Sequence, residues 1–385
     1  MSAAGRLGLY YAAIFVGTGA AGPYMPLWFA AHDLNGAQIG TILAAPMLAR
    51  IVTAPAIALW ADGFKLRRTP LIWMGAAVAV AYALLAAPFG FWWWLALWFC
   101  AASIFSSLSP LTDVVTLNRS RTEGFNFGWP RGLGSAAYIV ANVVVGGLLM
   151  RSAPSVVLLW LIGAAALASV GARALLPPDP VHHGAAPGFA ERFRGLGDLV
   201  RDPLFMTAVA SAGLIQSAHA FYYAFSALAW RRQGISEAMT GWLWGVGVAV
   251  EIGFLWFLEP WRRAVGPQRL LVLGGIAAVI RWTALAFDPP FWALFPLQAL
   301  HALTFAATFL TALQLTERLA SPANATAAQA VNSAFSGGML AGLATFASGW
   351  LYDRVGTMGY LAMAGMSLAG LVGAVRLAFA RRLDL

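Results

Sequence analysis

Apolar runs long enough to cross a lipid bilayer recur along the whole of this chain, and they leave little room for any other fold. A helix spanning hydrocarbon needs about 20 mostly apolar residues. Twelve such runs occur, over approximately 7–31, 38–61, 70–90, 92–117, 127–150, 154–176, 204–230, 238–258, 269–287, 290–316, 325–352 and 357–380. Backbone polar groups inside a bilayer must be satisfied internally, so only helices and closed barrels span it. Barrels need short alternating strands, whereas these runs are continuous. Composition agrees: 60% of the 385 residues are hydrophobic and 10% are charged, where soluble domains carry about a quarter. The expected fold is an all-α membrane protein with twelve transmembrane helices.

A net charge of +9 raises the question of nucleic acid, and the distribution of that charge answers it. With both termini on one side, 17 of the 24 Lys and Arg fall in loops of that side, four on the opposite side and three inside helices. The positive-inside bias then places both termini in the cytoplasm. The surplus serves orientation and lipid headgroups rather than a nucleic-acid partner. Cys100 is the sole cysteine, so neither an intramolecular disulfide nor a cysteine metal cluster is expected. The first run is too long for the core of a cleavable signal and reads as the first helix.

The longest polar stretch is PPDPVHHGAAPGFAERFRGLGDLVRD, residues 177–202, after the sixth run. It divides the chain into a six-helix bundle at 1–176, a cytoplasmic linker at 177–202 and a second six-helix bundle at 203–385. Two such halves are the layout of the major facilitator architecture, which holds its substrate near mid-membrane. Within the linker, 191–202 reads as a short amphipathic helix, and His182 and His183 read as solvated loop residues rather than metal ligands. The halves repeat one another weakly. ALWADGFKLRR (58–68) and FLEPWRRAVGPQR (257–269) both place an acid before a basic pair. There Asp62 faces neighbouring helix ends while Arg67 and Arg68 hold the inner leaflet, a gating and topology role.

Ionisable residues also lie within the runs. Glu251 stands alone in VGVAVEIGFLWF (246–257), where a charged side chain at mid-bilayer costs about 2.5–3.5 kcal/mol. Arg50, Asp113, Arg131, Arg281 and His301 share its situation. Such groups face the bundle interior, pair with one another and mark solute or ion paths; the bland alternative is a static pair that fixes packing. Helical spacing gathers more polar residues on single faces. The fifth run has Arg131, Ser135, Tyr138 and Asn142, and the seventh has Gln216, His219, Tyr223 and Ser226. The tenth has His301, Thr304, Thr308 and Thr311, and the eleventh has Gln329, Asn332 and Ser336. Any one Ser or Thr is explained by a bond to its own helix or by close packing. Four stripes together imply a wet lumen.

The segment PLTDVVTLNRSRTEGFNFGWPRGLGS (110–135) resembles the helix-four to helix-five region of lactose permease-type proton symporters, and GPYMPLWFAAHDL (22–34) is similar to their first-helix exit. The resemblance implies that Asp113 and Arg131 contact the solute and that Tyr138 stacks against it. It implies further that Glu251, Arg281 and His301 couple solute to proton. The match departs at Thr304, where that family keeps a proton-carrying glutamate, and in the absence of its helix-seven charge pairs, Lys65 being the only lysine. QSAHAFYYAFSALAW (216–230) and GWLWGVGVAVEIGFL (241–255) resemble the 3-phenylpropionate permease branch of the same superfamily more closely. That branch implies aromatic acids as cargo.

The expectation is therefore a secondary transporter and not an enzyme, driving uptake of a small organic solute with protons by alternating access. Arg131 would clamp a carboxylate with its fork, and Asp113 would hold Arg131 in the empty site. Tyr138, Tyr222 and Tyr223 would face an aromatic ring, with His219 beside them. Glu251, assisted by Arg281 and His301, would carry the proton. A carboxyl in such a place responds to both burial and a nearby arginine. The proton is the only cofactor implied, and a monomer in the inner (plasma) membrane of a bacterium is the expected state. A proton-coupled sugar or nucleoside symporter is the nearest alternative. A drug antiporter lacks support, since SAAYIVANVVVGG (135–147) has no proline. No HExxH cluster and no nucleophile–base pattern favours a membrane enzyme, and a channel has no need of a buried proton-active set.

Overall fold

The structure, a computed structural model, describes residues 1–181, 196–321 and 324–380. Its elements are α1 (Ala3–Ala30), α2 (Gly36–Asp62), α3 (Arg68–Leu85), α4 (Phe91–Glu123), α5 (Gly128–Leu149), α6 (Ser155–Leu175), α7 (Leu196–Arg201), α8 (Pro203–Ser217), α9 (Ala220–Arg232), α10 (Glu237–Phe257), α11 (Glu259–Val265), α12 (Pro267–Ala286), α13 (Phe291–Ala299), α14 (Thr308–Leu319), α15 (Ala325–Asn332), α16 (Ala341–Val355) and α17 (Tyr360–Ala378). The described residues contain no strand, only an isolated bridge between Leu66 and Pro180. Among the described residues, ten helical stretches are long and apolar enough to cross a membrane. One of them, Ala327–Ala378, turns at Gly356, whose φ of 59° favours glycine. The tyrosines, glycines and prolines of α1 lower its hydropathy, and it is not among the ten.

Local signals set several helix starts. Asn35 and Gln38 form a reciprocal capping box at α2. Asp202 accepts from Leu204 N (2.8 Å) and Phe205 N (3.3 Å) at the head of α8, with Pro203 in the first turn. At its other end, α4 runs past the expected boundary near 117 to Glu123. Gly124 then stops it in the left-handed region, at a φ of 73°. Arg119 and Arg121 therefore sit in the last turns of a helix rather than in a loop.

By contact the chain clusters into two units, Met1–His183 with Ala224–Gly245, and Gly184–Tyr223 with Val246–Leu385. In the first, α1 packs along α5 and α6, and α3 along α4 and α6. Leu7, Tyr10, Ile14, Leu71, Met74, Leu108 and Val115 are buried in its core. A Cβ on Gly19 would fall 2.5 Å from Tyr138 O, so a glycine is what lets α1 lie against α5. Ala224–Gly245 joins this unit through α10, because Tyr24 donates to Asn142 O (2.7 Å) and Glu237 O (3.2 Å). In the second unit, α17 packs along α12 and α8, and α14 along α8.

The start of the polar stretch at 177–202 is tied down. Arg67 N donates to Asp179 O at 2.9 Å and Val181 N to Lys65 O at 3.1 Å. Arg119 grips the nearly buried Asp179 carboxylate with Nε (2.9 Å) and Nη2, while its Nη1 donates to Glu123 (2.9 Å). Arg68 reaches Arg173 O and Leu176 O at 3.4 and 3.5 Å. Asp62, the last residue of α2, is exposed. His182, His183 and residues 191–195 lie outside the described residues; Leu196–Arg201 is helical.

Three of the expected spans are not single α-helices. The seventh breaks at Ala218–His219 between α8 and α9, whereas the eighth is the single helix α10, with α11 following after Leu258. The tenth passes through a π-helical segment, Ala302–Ala307, and the eleventh through another, Ser333–Leu340. Apolar periodicity carries no mark of a widened turn.

Candidate functional site

Two of these irregularities coincide with the polar residues of the second unit. His219 stands at the α8–α9 break, His301 immediately precedes the π segment of the tenth span, and Thr304 lies within it. Widened turns and broken helices free backbone groups and re-aim side chains, which is why they concentrate at ligand sites in transporters. Gly274 on α12 allows the approach of that π segment: a Cβ there would meet Thr308 Cγ2 and lie 2.9 Å from Leu303 O.

Arg281 is the centre of the cluster. It is fully buried, and its partners are neutral: His301 Nδ1 at 3.1 Å and Thr304 Oγ1 at 3.0 Å from Nη1, and Gln298 Oε1 at 2.8 Å from Nη2. Its guanidinium lies between two aromatic rings, 4.8 Å from the centroid of Tyr222 and 4.7 Å from that of Trp282. These faces help a cation that has left water. Among the described residues Arg281 makes no ion pair within 4 Å. Its Nε and the Nε2 of Gln298 are buried donors without an acceptor.

Glu251 faces the same cluster from α10. Its Oε2 is 3.5 Å from His301 Nε2, and its side chain is 20% exposed against 8% for His301. The histidine, rather than Arg281, is therefore its immediate partner. His219 lies across from His301, ring centroids 5.3 Å apart, with Nε2 3.0 Å from Thr304 Oγ1 and Nδ1 2.9 Å from Gln216 O. Tyr223 stacks on His219 at 5.5 Å. Thus His219, Tyr222, Tyr223, Glu251, Arg281 and His301 form one contiguous group. The sequence reading had divided them between solute and proton.

The remaining predicted residues belong to the first unit. Arg131 Nη1 contacts both oxygens of Asp113, at 2.6 and 2.8 Å, and Tyr11 donates to the same carboxylate at 2.5 Å. Tyr138 is half-buried two turns along α5, and its carbonyl accepts from Asn142 Nδ2 at 2.9 Å. Several stripe residues keep to the bland account. Thr308 and Thr311 bond their own helix, at 2.6 Å to Thr304 O and 2.7 Å to Ala307 O. Arg50 is exposed.

Sequence reasoning missed Tyr11, Trp282, Gln298 and Tyr360. Gln298 sits one turn before His301, a spacing that reveals it once His301 is suspected. Trp282 and Tyr360 stack nearly parallel behind Arg281, ring centroids 6.0 Å apart, and nothing in their sequence neighbourhood distinguishes them from membrane aromatics.

A polytopic helical bundle with interior charge clusters of this kind defines a membrane transporter, not an enzyme. Residues 5–362 match the MFS_1 like family, and the chain belongs to that family of transporters. A maltose permease from Geobacillus stearothermophilus is 30% identical over 361 residues, covering 90% of this chain and 87% of the relative. A protein of Escherichia coli K12 named "Probable 3-phenylpropionic acid transporter" is 28% identical over 381 residues, covering 94% of each. Among solved structures, the D323A mutant of the nucleoside transporter NupG superposes with a TM-score of 0.84 at 14% identity, over 98% of this chain and 100% of that one. A bacterial homolog of the lysosomal transporter Spinster, inward-facing and unoccupied, gives 0.74 at 14% identity, over 98% and 96%. At these identities the structures speak for the fold alone.

Proposed function

We propose that this transporter takes up a small organic solute with protons by alternating access, and that an aromatic carboxylate such as 3-phenylpropionate is the first candidate. The observation that carries the reading is the array Glu251–His301–Arg281: a carboxyl in the membrane, bridged by an imidazole to a buried guanidinium that has only neutral partners. An anion-poor cluster of this kind suits a carboxyl whose charge comes and goes during a cycle. The unspent donors on Arg281 and Gln298, together with Tyr222 and Tyr223 of the same unit, suit a solute with an acceptor-rich head and a flat body. In the first unit Asp113 occupies Arg131 until solute arrives. The proposal includes twelve crossings, six on either side of the stretch 177–202, both termini in the cytoplasm, and a monomer in a bacterial inner membrane with the proton as coupling ion.

A sugar is the second reading, favoured by the maltose permease at 30% identity, because hydroxyl groups also satisfy clustered arginine and carboxylate groups. Purified protein in liposomes separates the two. Uptake of 3-phenylpropionate, cinnamate, benzoate, maltose and uridine is measured with and without an imposed pH gradient. Gradient-driven accumulation of an aromatic acid and none of maltose is expected. Accumulation of maltose alone replaces the first reading by the second, and gradient-independent flux of every compound removes both.

A further inference from the structure

The hydrogen bonds around Arg281 have a direction, and following it outward assigns each hydrogen. A guanidinium only donates. His301 Nδ1, 3.1 Å from Arg281 Nη1, is therefore an acceptor, and the neutral ring carries its hydrogen on Nε2, the nitrogen that faces Glu251. Thr304 Oγ1, 3.0 Å from the same Nη1, accepts there and has one hydrogen to give. Its choices are His219 Nε2 at 3.0 Å and the carbonyl of His301 at 3.5 Å.

His219 decides between them. Its Nδ1 is 2.9 Å from Gln216 O, which accepts, so the hydrogen of a neutral ring is on Nδ1 and Nε2 has a lone pair for Thr304. Were Thr304 to give its hydrogen to the carbonyl instead, Nε2 would have to donate as well. A doubly protonated ring would then share a fully buried site with Arg281, which makes no ion pair there among the described residues. Two adjacent cations in such a place are costly. The two histidines are thus held in opposite tautomers, one at each end of a bond chain that Arg281 feeds.

His219 touches neither Glu251 nor the bridging nitrogen of His301 through this chain. We propose that His219 is a positioning residue: through Thr304 it fixes the guanidinium of Arg281, and through Arg281 it sets the tautomer that His301 presents to Glu251. The inference rests on the reading of Glu251 as the proton-carrying group. It adds that coupling depends on a hydroxyl and an imidazole that themselves bind no proton. Packing holds the ring in register for this role. Tyr223 stacks on it, and Trp282 and Phe305 meet it edge-on at 4.9 and 5.9 Å.

Two measurements on the full chain in bilayers test it. In protein labelled with ¹⁵N-histidine, nitrogen shifts assigned by His219→Phe and His301→Phe read each tautomer without any solute. The expected spectrum has His219 protonated on Nδ1 and His301 on Nε2. Thr304→Val, which keeps volume and removes the hydroxyl, releases His301 into a mixture, His219→Phe does the same, and Thr304→Ser restores the single form. In liposomes with 3-phenylpropionate, Thr304→Val lowers gradient-driven accumulation about tenfold, the worth of one hydrogen bond to a charged group. Exchange at equal pH falls by less than accumulation does, and Thr304→Ser accumulates as the parent does. Identical tautomers in the parent, or a His301 spectrum indifferent to Thr304→Val, overturns the inference. So does a loss of exchange and accumulation together that serine fails to rescue, which marks a packing role. If Glu251→Gln still accumulates uphill, the proton reading fails, while the tautomer spectra decide the positioning role separately.

Discussion

Arg131 grips Asp113 with one nitrogen. Nη1 lies 2.6 Å from one carboxylate oxygen and 2.8 Å from the other, and no other bond of this guanidinium lies among the described residues. The pair as it stands needs only a point charge, which a lysine supplies. The flat edge formed by Nε and Nη2 is what a lysine lacks. Arg131→Lys is therefore expected to keep the melting temperature of the parent and to weaken 3-phenylpropionate uptake about ten- to a hundredfold in KM. Unchanged KM removes Arg131 from the binding site.

Glu251→Gln keeps the shape of the side chain and its neighbour His301, 3.5 Å away, but the amide has no charge to gain or lose. Accumulation of solute against its gradient, driven by an acid exterior, is expected to disappear. Uphill uptake at the parental level would falsify the assignment of the proton to Glu251.

Gly274→Ala adds one methyl group where α12 meets the π segment, against Thr308 and 2.9 Å from Leu303 O. Backbone cannot give way as a flexible side chain does, so overpacking of about 1–3 kcal/mol is expected. Thermal unfolding in detergent reads this as a lower melting temperature. A variant as stable as the parent shows that the two segments separate at little cost.

Arg119 and Asp179 lie 60 residues apart, and Arg119 holds that nearly buried carboxylate with two nitrogens. Asp179→Ala and Arg119→Ala are each expected to destabilise the protein. Their double mutant is expected to lose less than the sum, by about 1–2 kcal/mol. Strict additivity means that the contact contributes nothing to the tie between the end of α4 and residues 177–181.

Cys100 is the only cysteine and is exposed, so Cys100→Ser provides a background for labelling. In it, Ser2→Cys is expected to react with an impermeant maleimide only from the cytoplasmic face, and Arg151→Cys only from the outside. Reversed labelling inverts the proposed topology.

Much of this protein was legible in its residues one at a time. Long apolar runs exclude every fold but a helical membrane bundle, because hydrocarbon penalises any unpaired backbone group. A charge inside such a run is expensive wherever it sits, so Asp113, Arg131, Glu251, Arg281 and His301 announced themselves without a structure. Helical spacing placed His219 and Tyr223 on one face, and they do share a cluster.

Partnership was another matter. Arg281 is 30 residues beyond Glu251 and 20 before His301, and no pattern along the chain says which of them it meets. The fold directs it to His301, Thr304 and Gln298 and leaves Glu251 to the histidine. Tyr11 joined the Asp113 pair, and Trp282 and Tyr360 the Arg281 cluster, unannounced, since an aromatic in a membrane helix looks alike whether it faces lipid or a charged group. The breaks at His219 and Thr304 were equally silent, because a widened turn depends on what packs against it. Burial cost is a property of a residue and its neighbours in sequence. Hydrogen-bond direction and tautomer belong to atoms a few ångströms apart in space, and only tertiary structure brings those atoms together.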